Sequence, residues 1–355
     1  MSAVRALLVF VPISLALHLW PGAPGWLVFA VACLAILPLA GLMGEATEEL
    51  ARRMGPNLGG LLNATFGNAA ELIITIFALR AGKIAVVQAS IAGSIIGNIL
   101  LVLGLAVLLG GMGRERQTFN RTAAGMHANM LVLSAAALVL PALFSGLRPE
   151  LHAGEESMAA PARYLGLGVS VVLLATYLLG LLFSLKTHRD LFGEEAVTHE
   201  RATWSAERAL LVLAVATIAV AYESERLVHS LEAATRSLGL SEMFVGVIVI
   251  PVIGNAAEHA SAVAFAIRDK MDVAIHIAIG SSTQVALFVA PVLVFLSLAL
   301  GHPLPIVFHP FEVISLGLAA LVAAFISLDG ETNWLEGVQL LATYGMIALA
   351  FFFLA

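Results

Sequence analysis

Apolar stretches of roughly membrane-spanning length divide this chain from end to end, and they decide its class. A helix needs about 20 mostly apolar residues to cross the hydrocarbon core of a bilayer. Between charged or Pro/Gly-marked breaks, eleven such stretches run over 3–20, 25–43, 58–80, 84–111, 120–144, 162–185, 207–223, 242–267, 272–300, 306–328 and 333–354. Charged residues make up only 12% of the 355 residues, too few to cover the surface of a water-soluble domain in the usual way. The expected fold class is therefore an all-α polytopic membrane protein with 11 transmembrane helices lying in the lipid bilayer.

Several function classes drop out early. The net charge of −6 is spread thinly and leaves no basic patch, so nucleic acid is not an expected partner. Cys33 is the sole cysteine, which excludes an intramolecular disulfide and a thiolate metal site. Arg5 and the apolar run to Trp20 have the outline of a signal peptide, but Leu17-His18-Leu19-Trp20 offers no small-residue cleavage site. The segment is read as the first helix.

Positive charges set the orientation of such a chain. With the N-terminus in the cytoplasm, 12 of the 18 Lys and Arg residues fall on the cytoplasmic side and 6 on the other. Compact loops suit a prokaryotic inner (plasma) membrane, with an organellar membrane as the alternative. The longest polar stretch, from Lys186 to Arg208, carries Asp190, Glu194, Glu195, Glu200 and Glu207 among basic residues. It reads as a solvated cytoplasmic linker, with a cation-sensing segment as the sharper alternative. The expected organisation is an N-terminal transmembrane helix (1–22), a first five-helix repeat (23–185), the linker (186–206) and a second five-helix repeat (207–355). An oligomeric state is not specified by the sequence.

The repeat rests on more than span counting. Gly67-Asn68-Ala69-Ala70-Glu71 recurs as Gly254-Asn255-Ala256-Ala257-Glu258, and 254 − 67 gives an offset of 187. At the same offset Lys83 matches Lys270, and Gly93-Ser94 matches Gly280-Ser281, so both copies separate Glu from Ser by 23 residues. Nine residues of helix after Glu71 rise roughly 13 Å, and a similar length after the turn returns, which levels Ser94 with Glu71 and Ser281 with Glu258. Five spans per repeat are an odd number, so the second copy enters the membrane inverted, the layout of transporters that bind at the midplane.

Carboxylates in hydrocarbon are costly, and an intramembrane Glu is a functional candidate by default. Glu71 and Glu258, with Asn68, Asn255, Ser94, Ser281 and main-chain carbonyls freed where Gly breaks each helix, would form an all-oxygen cage. Hard divalent cations such as Ca²⁺ take such ligands. Small-residue packing around two protonated glutamates is the competing reading, but packing alone does not require Glu at both symmetric positions. A membrane enzyme is disfavoured because HExxH and protease-like Ser/His or Asp/Asp spacings are absent. A passive cation channel remains the other alternative.

At these residues the sequence resembles the calcium/proton exchangers of the cation antiporter superfamily. The likeness runs from Gly44-Glu45-Ala46-Thr47-Glu48 through Asn63 to Glu71, then Gln88-Ala89-Ser90 and Gly93-Ser94, and resumes over Pro251 to His259 and Gly280 to Gln284. The resemblance implies a lone first helix plus two inverted five-helix repeats, Ca²⁺ at the motif glutamates, and ligand or pathway roles for Asn68, Asn255, Ser94, Ser281 and Gln284. The related sodium/calcium exchangers use further acidic ligands where this chain brings Gln88 and Gln284, which makes H⁺ the expected counter-ion. No cofactor is expected; Ca²⁺ and H⁺ are the transported substrates. Glu48 and Glu225, at the ends of corresponding helices, are candidates for ion entry or plain headgroup charges. His259 and Glu312 stand as secondary residues, Glu312 with His309 one turn earlier as its candidate partner.

Overall fold

The computed structural model describes residues 5–20, 22–147, 156–188 and 202–354. Among the described residues, apart from a two-residue antiparallel bridge of β1 (Gln117–Thr118) with β2 (Glu331–Thr332), the regular elements are helices. They are α1 (Leu7–His18), α2 (Gly25–Phe66), α3 (Ala69–Arg80), α4 (Ile84–Gly111), α5 (Arg121–Leu147), α6 (Glu156–Leu182), α7 (Ala206–Leu238), α8 (Glu242–Gly254), α9 (Ala256–Ile267), α10 (Met271–Ala299), α11 (Pro310–Ile326) and α12 (Trp334–Phe353). Among the described residues six helices are long and apolar enough to span a membrane, and a seventh is added if the bent pair α8–α9 is one span.

The chain forms two compact units, each drawn from both sides of the central linker. The first comprises Met1–Ser90, Leu185–Ala260 and Ala348–Ala355, the second Ile91–Ser184 and Ser261–Ile347. In the first unit α2 and α7 pack along their length, burying Leu39, Ala40, Met43 and Ala46 with Leu213, Ala216 and Val220. Near the start of α2 there is no room for a Cβ at Gly25 against Ala233, so the two backbones approach closely there. In the second unit α5 packs against α10 and α11, and Tyr177 of α6 stacks on Phe288 of α10 with ring centroids 5.2 Å apart.

Two helices run well beyond the apolar stretches that announce them. The stretch 25–43 continues as helix to Gly55, where φ is 76° and the chain turns before resuming. Its charged extension is sustained by partners. Nη2 of Arg5 donates to both Glu45 carboxylate oxygens at 2.7 and 2.8 Å, and the buried Glu49 carboxylate accepts from the Thr203 and Trp204 main-chain N–H groups and the Thr203 hydroxyl. The stretch 207–223 likewise continues to Leu238, because Leu227, Val228, Leu231 and Ala234 keep one apolar face buried, and Gly239 ends it in the left-handed conformation. Most of the linker, including Asp190, Glu194, Glu195 and Glu200, lies outside the described residues.

Candidate cation site

Each motif interrupts a helix in the same way. Asn68 has φ −96° and ψ 21°, Asn255 has φ −102° and ψ 14°, and the second interruption bends the chain by 61°. The sequence reading placed the break at glycine, but Gly67 keeps helical dihedrals (φ −54°, ψ −46°) and the departure falls on asparagine. Each asparagine then heads a new helix, its carbonyl accepting from Leu72 N–H in one motif and His259 N–H in the other, both at 3.0 Å. Glu71 and Glu258 both stand third in those new helices, in the first turn. The main-chain dipoles there carry partial positive charge, which supports an anionic side chain.

The two breaks meet inside the first unit, and they meet reciprocally. A Cβ at Gly67 would lie 3.6 Å from Oε1 of Glu258, and a Cβ at Gly254 would lie 3.5 Å from Cα and Cβ of Glu71. Each motif's glycine thus faces the other motif's glutamate within van der Waals reach of an added Cβ. The Asn255 side chain hydrogen-bonds the Glu71 carboxylate, and the Glu258 carboxylate acts on it electrostatically. Glu71, Asn68 and Asn255 are buried, while Glu258 and His259 are half-buried. Thr75 donates to the Glu71 carbonyl at 2.9 Å, fixing the turn that carries the carboxylate.

The remaining expected residues divide between the units. Gln88 is half-buried in the first; Ser94, Ser281 and Gln284 belong to the second, with both serines buried and Gln284 half-buried. The backbone there repeats as the sequence does. A π-helical turn follows each serine, at Gly97–Val102 and Val285–Val289, a near match to the 187-residue offset. In the preceding turns Gly82 (φ 71°) and Asp269 (φ 64°), also 187 apart, are both left-handed. Among the described residues no three His, Cys, Asp or Glu side chains are grouped to hold a metal. A cation held by Glu71 and Glu258 would therefore complete its shell with amide, hydroxyl, main-chain and water oxygens, as Ca²⁺ commonly does.

A sequence profile described as sodium/calcium exchanger protein matches residues 24–186 and 208–353. The chain belongs to that family. Among relatives of this exchanger, a protein named Ca(2+)/H(+) antiporter from Synechocystis is 49% identical, over 98% of this chain and 96% of its own length. The Ca(2+)/H(+) antiporter ChaA of Bacillus subtilis is 43% identical, over 97% of each chain. The crystal structure of a selenium-substituted Ca2+/H+ antiporter protein, YfkE, superimposes with a TM-score of 0.84 at 41% identity, covering 99% of this chain and 100% of that one.

Other candidates found other settings. Glu48 and Glu225 are exposed, Glu48 pairing with Arg52 at 3.0 Å, while their neighbours Glu49 and Glu223 are the buried carboxylates. Glu312 does meet His309, but through the main chain: its carboxylate accepts the His309 N–H at 2.8 Å in a capping box that starts α11. Sequence reasoning passed over Glu223. The one signal for it was a carboxylate on the last residue of an apolar stretch, and a helix that continues fifteen residues further turns that end into an interior.

Proposed function

We propose that this chain exchanges Ca²⁺ for protons across a membrane by alternating access, with Glu71 and Glu258 as the shared cation- and proton-binding groups. It is a secondary transporter rather than an enzyme, in keeping with the antiporters it resembles over nearly its whole length. The observation that carries the site is the reciprocal packing of Gly67 against Glu258 and Gly254 against Glu71. Asn68, Asn255, Ser94, Ser281, Gln88 and Gln284 act as supporting ligands or pathway groups, and Glu48 and Glu225 as ion-entry groups. Eleven crossings, with a lone first helix and two inverted five-helix repeats, an N-terminus in the cytoplasm and a prokaryotic inner membrane complete the reading. Other divalent cations are admitted by the same oxygen donors.

Coupling follows from one competition. Burial of a carboxylate favours its neutral form, a neighbouring carboxylate adds to that preference, and a bound divalent cation reverses it. Metal ligands must be deprotonated, so an arriving Ca²⁺ expels protons and departing Ca²⁺ admits them. Two carboxylates neutralise one divalent ion, so the loaded and the doubly protonated sites both cross without burying net charge. The deciding experiment uses purified protein in liposomes supplied with a pH gradient alone. Uphill Ca²⁺ movement is expected; movement that only follows the Ca²⁺ gradient would make the chain a channel.

A further inference from the structure

The first unit buries a carboxylate that the proposed exchange does not use. Glu223 of α7 is fully buried, and so is its partner Ser14, in the middle of α1. The Ser14 hydroxyl lies 2.7 Å from Oε2 of Glu223, while Oε1, also buried, has no hydrogen-bond partner. Among the described residues no ion pair reaches the carboxylate. Arg226, one turn along α7, acts on it electrostatically but spends one guanidinium nitrogen, Nη1, on His18 of α1 at 2.9 Å and on the Tyr222 hydroxyl at 3.4 Å.

The other elements packed against α7 offer little charge. Cys33 is the titratable group in the apolar part of α2, α3 carries Glu71 and Arg80, and Glu242 at the start of α8 is held by Lys83. An isolated buried carboxylate is expensive as an anion and is cheaper when it holds a proton. A serine hydroxyl suits both conditions, because it donates to a carboxylate and, rotated, accepts from a carboxylic acid. A structural bond between two helices would be served by any neutral pair; a group that can gain and lose charge is the one feature such packing does not need.

We propose that Glu223 and Ser14 form a second proton-binding site, distinct from the motif glutamates, that links the engagement of α1 with α7 to pH. Its ligand is the proton: Glu223 holds it in the packed arrangement, hydrogen-bonded to the Ser14 oxygen, and losing it leaves an anion that, among the described residues, only Ser14 hydrogen-bonds. Its effect on transport rests on the exchange proposed above, but the site itself can be tested without transport.

Infrared titration of the full chain in liposomes reads the carboxylic-acid carbonyl band directly. A band that disappears on raising pH is expected in Glu71→Gln/Glu258→Gln, where the motif carboxyls are gone, and that band is expected to be absent once Glu223→Gln is added to the pair. Ser14→Ala, which keeps the carboxyl group, is expected to shift that band because the acid loses its hydrogen-bond acceptor. In proteoliposomes Glu223→Gln should move the pH of half-maximal exchange rate by about half a unit or more, with the apparent KM for Ca²⁺ changed less than about twofold. A band unaltered in both Glu223→Gln and Ser14→Ala overturns the site. A loss of Ca²⁺ affinity of about tenfold or more in Glu223→Gln would place the residue in the cation site and overturn its separateness.

Discussion

Glycines at symmetric motif positions are expected to differ in tolerance, and the difference measures how tightly the two breaks interlock. At Gly67 an added Cβ would sit 2.8 Å from the Asn63 carbonyl oxygen, a main-chain atom, and 3.6 Å from Oε1 of Glu258. Backbone must move to admit it, at a position within van der Waals reach of the facing carboxylate. At Gly254 the nearest atoms are Cα and Cβ of Glu71 at 3.5 Å and its nitrogen at 3.8 Å, which is ordinary van der Waals contact. Overpacking of a tight site costs about 1–3 kcal/mol, which as a loss of cation affinity is about 5- to 150-fold for Gly67→Ala. Gly254→Ala carries no such cost and gains up to about 1 kcal/mol of helix propensity, so its apparent affinity should change less than about threefold. Ca²⁺ uptake into proteoliposomes across a range of Ca²⁺ concentrations, with thermal unfolding of the same preparations, separates the site from stability. Equal losses in the two variants, or wild-type affinity in Gly67→Ala, would refute the interlocking geometry.

Glu71→Gln and Glu258→Gln are each expected to abolish exchange in inserted, folded protein, checked by uptake and gel filtration. Lowering pH on the Ca²⁺-loading side is expected to raise the apparent KM with little change in maximal rate, because on the proposed shared site protons would occupy the carboxylates that Ca²⁺ requires ionised; a fall in maximal rate alone would point to a separate proton path. Glu49→Ala removes the acceptor of three hydrogen bonds from Thr203 and Trp204 and should cost about 1–3 kcal/mol, seen as faster limited proteolysis at the linker's end. Lys83 bridges Glu232 and Glu242 outside the spans; those hydrogen bonds raise its pKa, and Lys83 in turn lowers that of Glu232. The stabilisation is thus present at neutral pH and fades both as pH falls below the ordinary carboxylate range and as it rises above the ordinary lysine range, so the small melting difference between wild type and Lys83→Met should vanish at either extreme and in high salt.

What the sequence made legible is what hydrocarbon makes expensive. Two glutamates inside apolar stretches, each in GNAAE, stand out against a background of Ala, Leu and Val, and the structure brings Glu71 and Glu258 together with Asn255. The helical class followed from the same apolar runs. Less legible were features whose cost is offset by a distant partner. Nothing in Gly44 to Arg53 shows that Glu49 will be capped by Thr203 and Trp204, or that Arg5 will reach Glu45, yet those contacts let α2 stay helical through a charged segment. Glu223 looked like a helix end because its shelter, Ser14, lies 209 residues away. The break fell one residue past the glycine that announced it for a local reason: the dihedrals of Asn68 and Asn255 lie in a region open to any residue, so the break itself does not require a glycine.

The interleaving of the two compact units has a consequence for how the chain is made. Glu71 leaves the ribosome 187 residues ahead of Glu258 (258 − 71) and slightly less ahead of Asn255, its hydrogen-bond donor. At ordinary rates of synthesis of about 5–20 residues per second, that gap lasts about 10–40 s. For that time the first motif sits in or beside the insertion machinery with its break unfilled, and neither unit can close, since each still lacks its second half. Insertion machinery and lipid must shelter a lone acidic half-helix until its counterpart is threaded. Slowing translation between the motifs should therefore lower the yield of folded exchanger more than slowing it after the second.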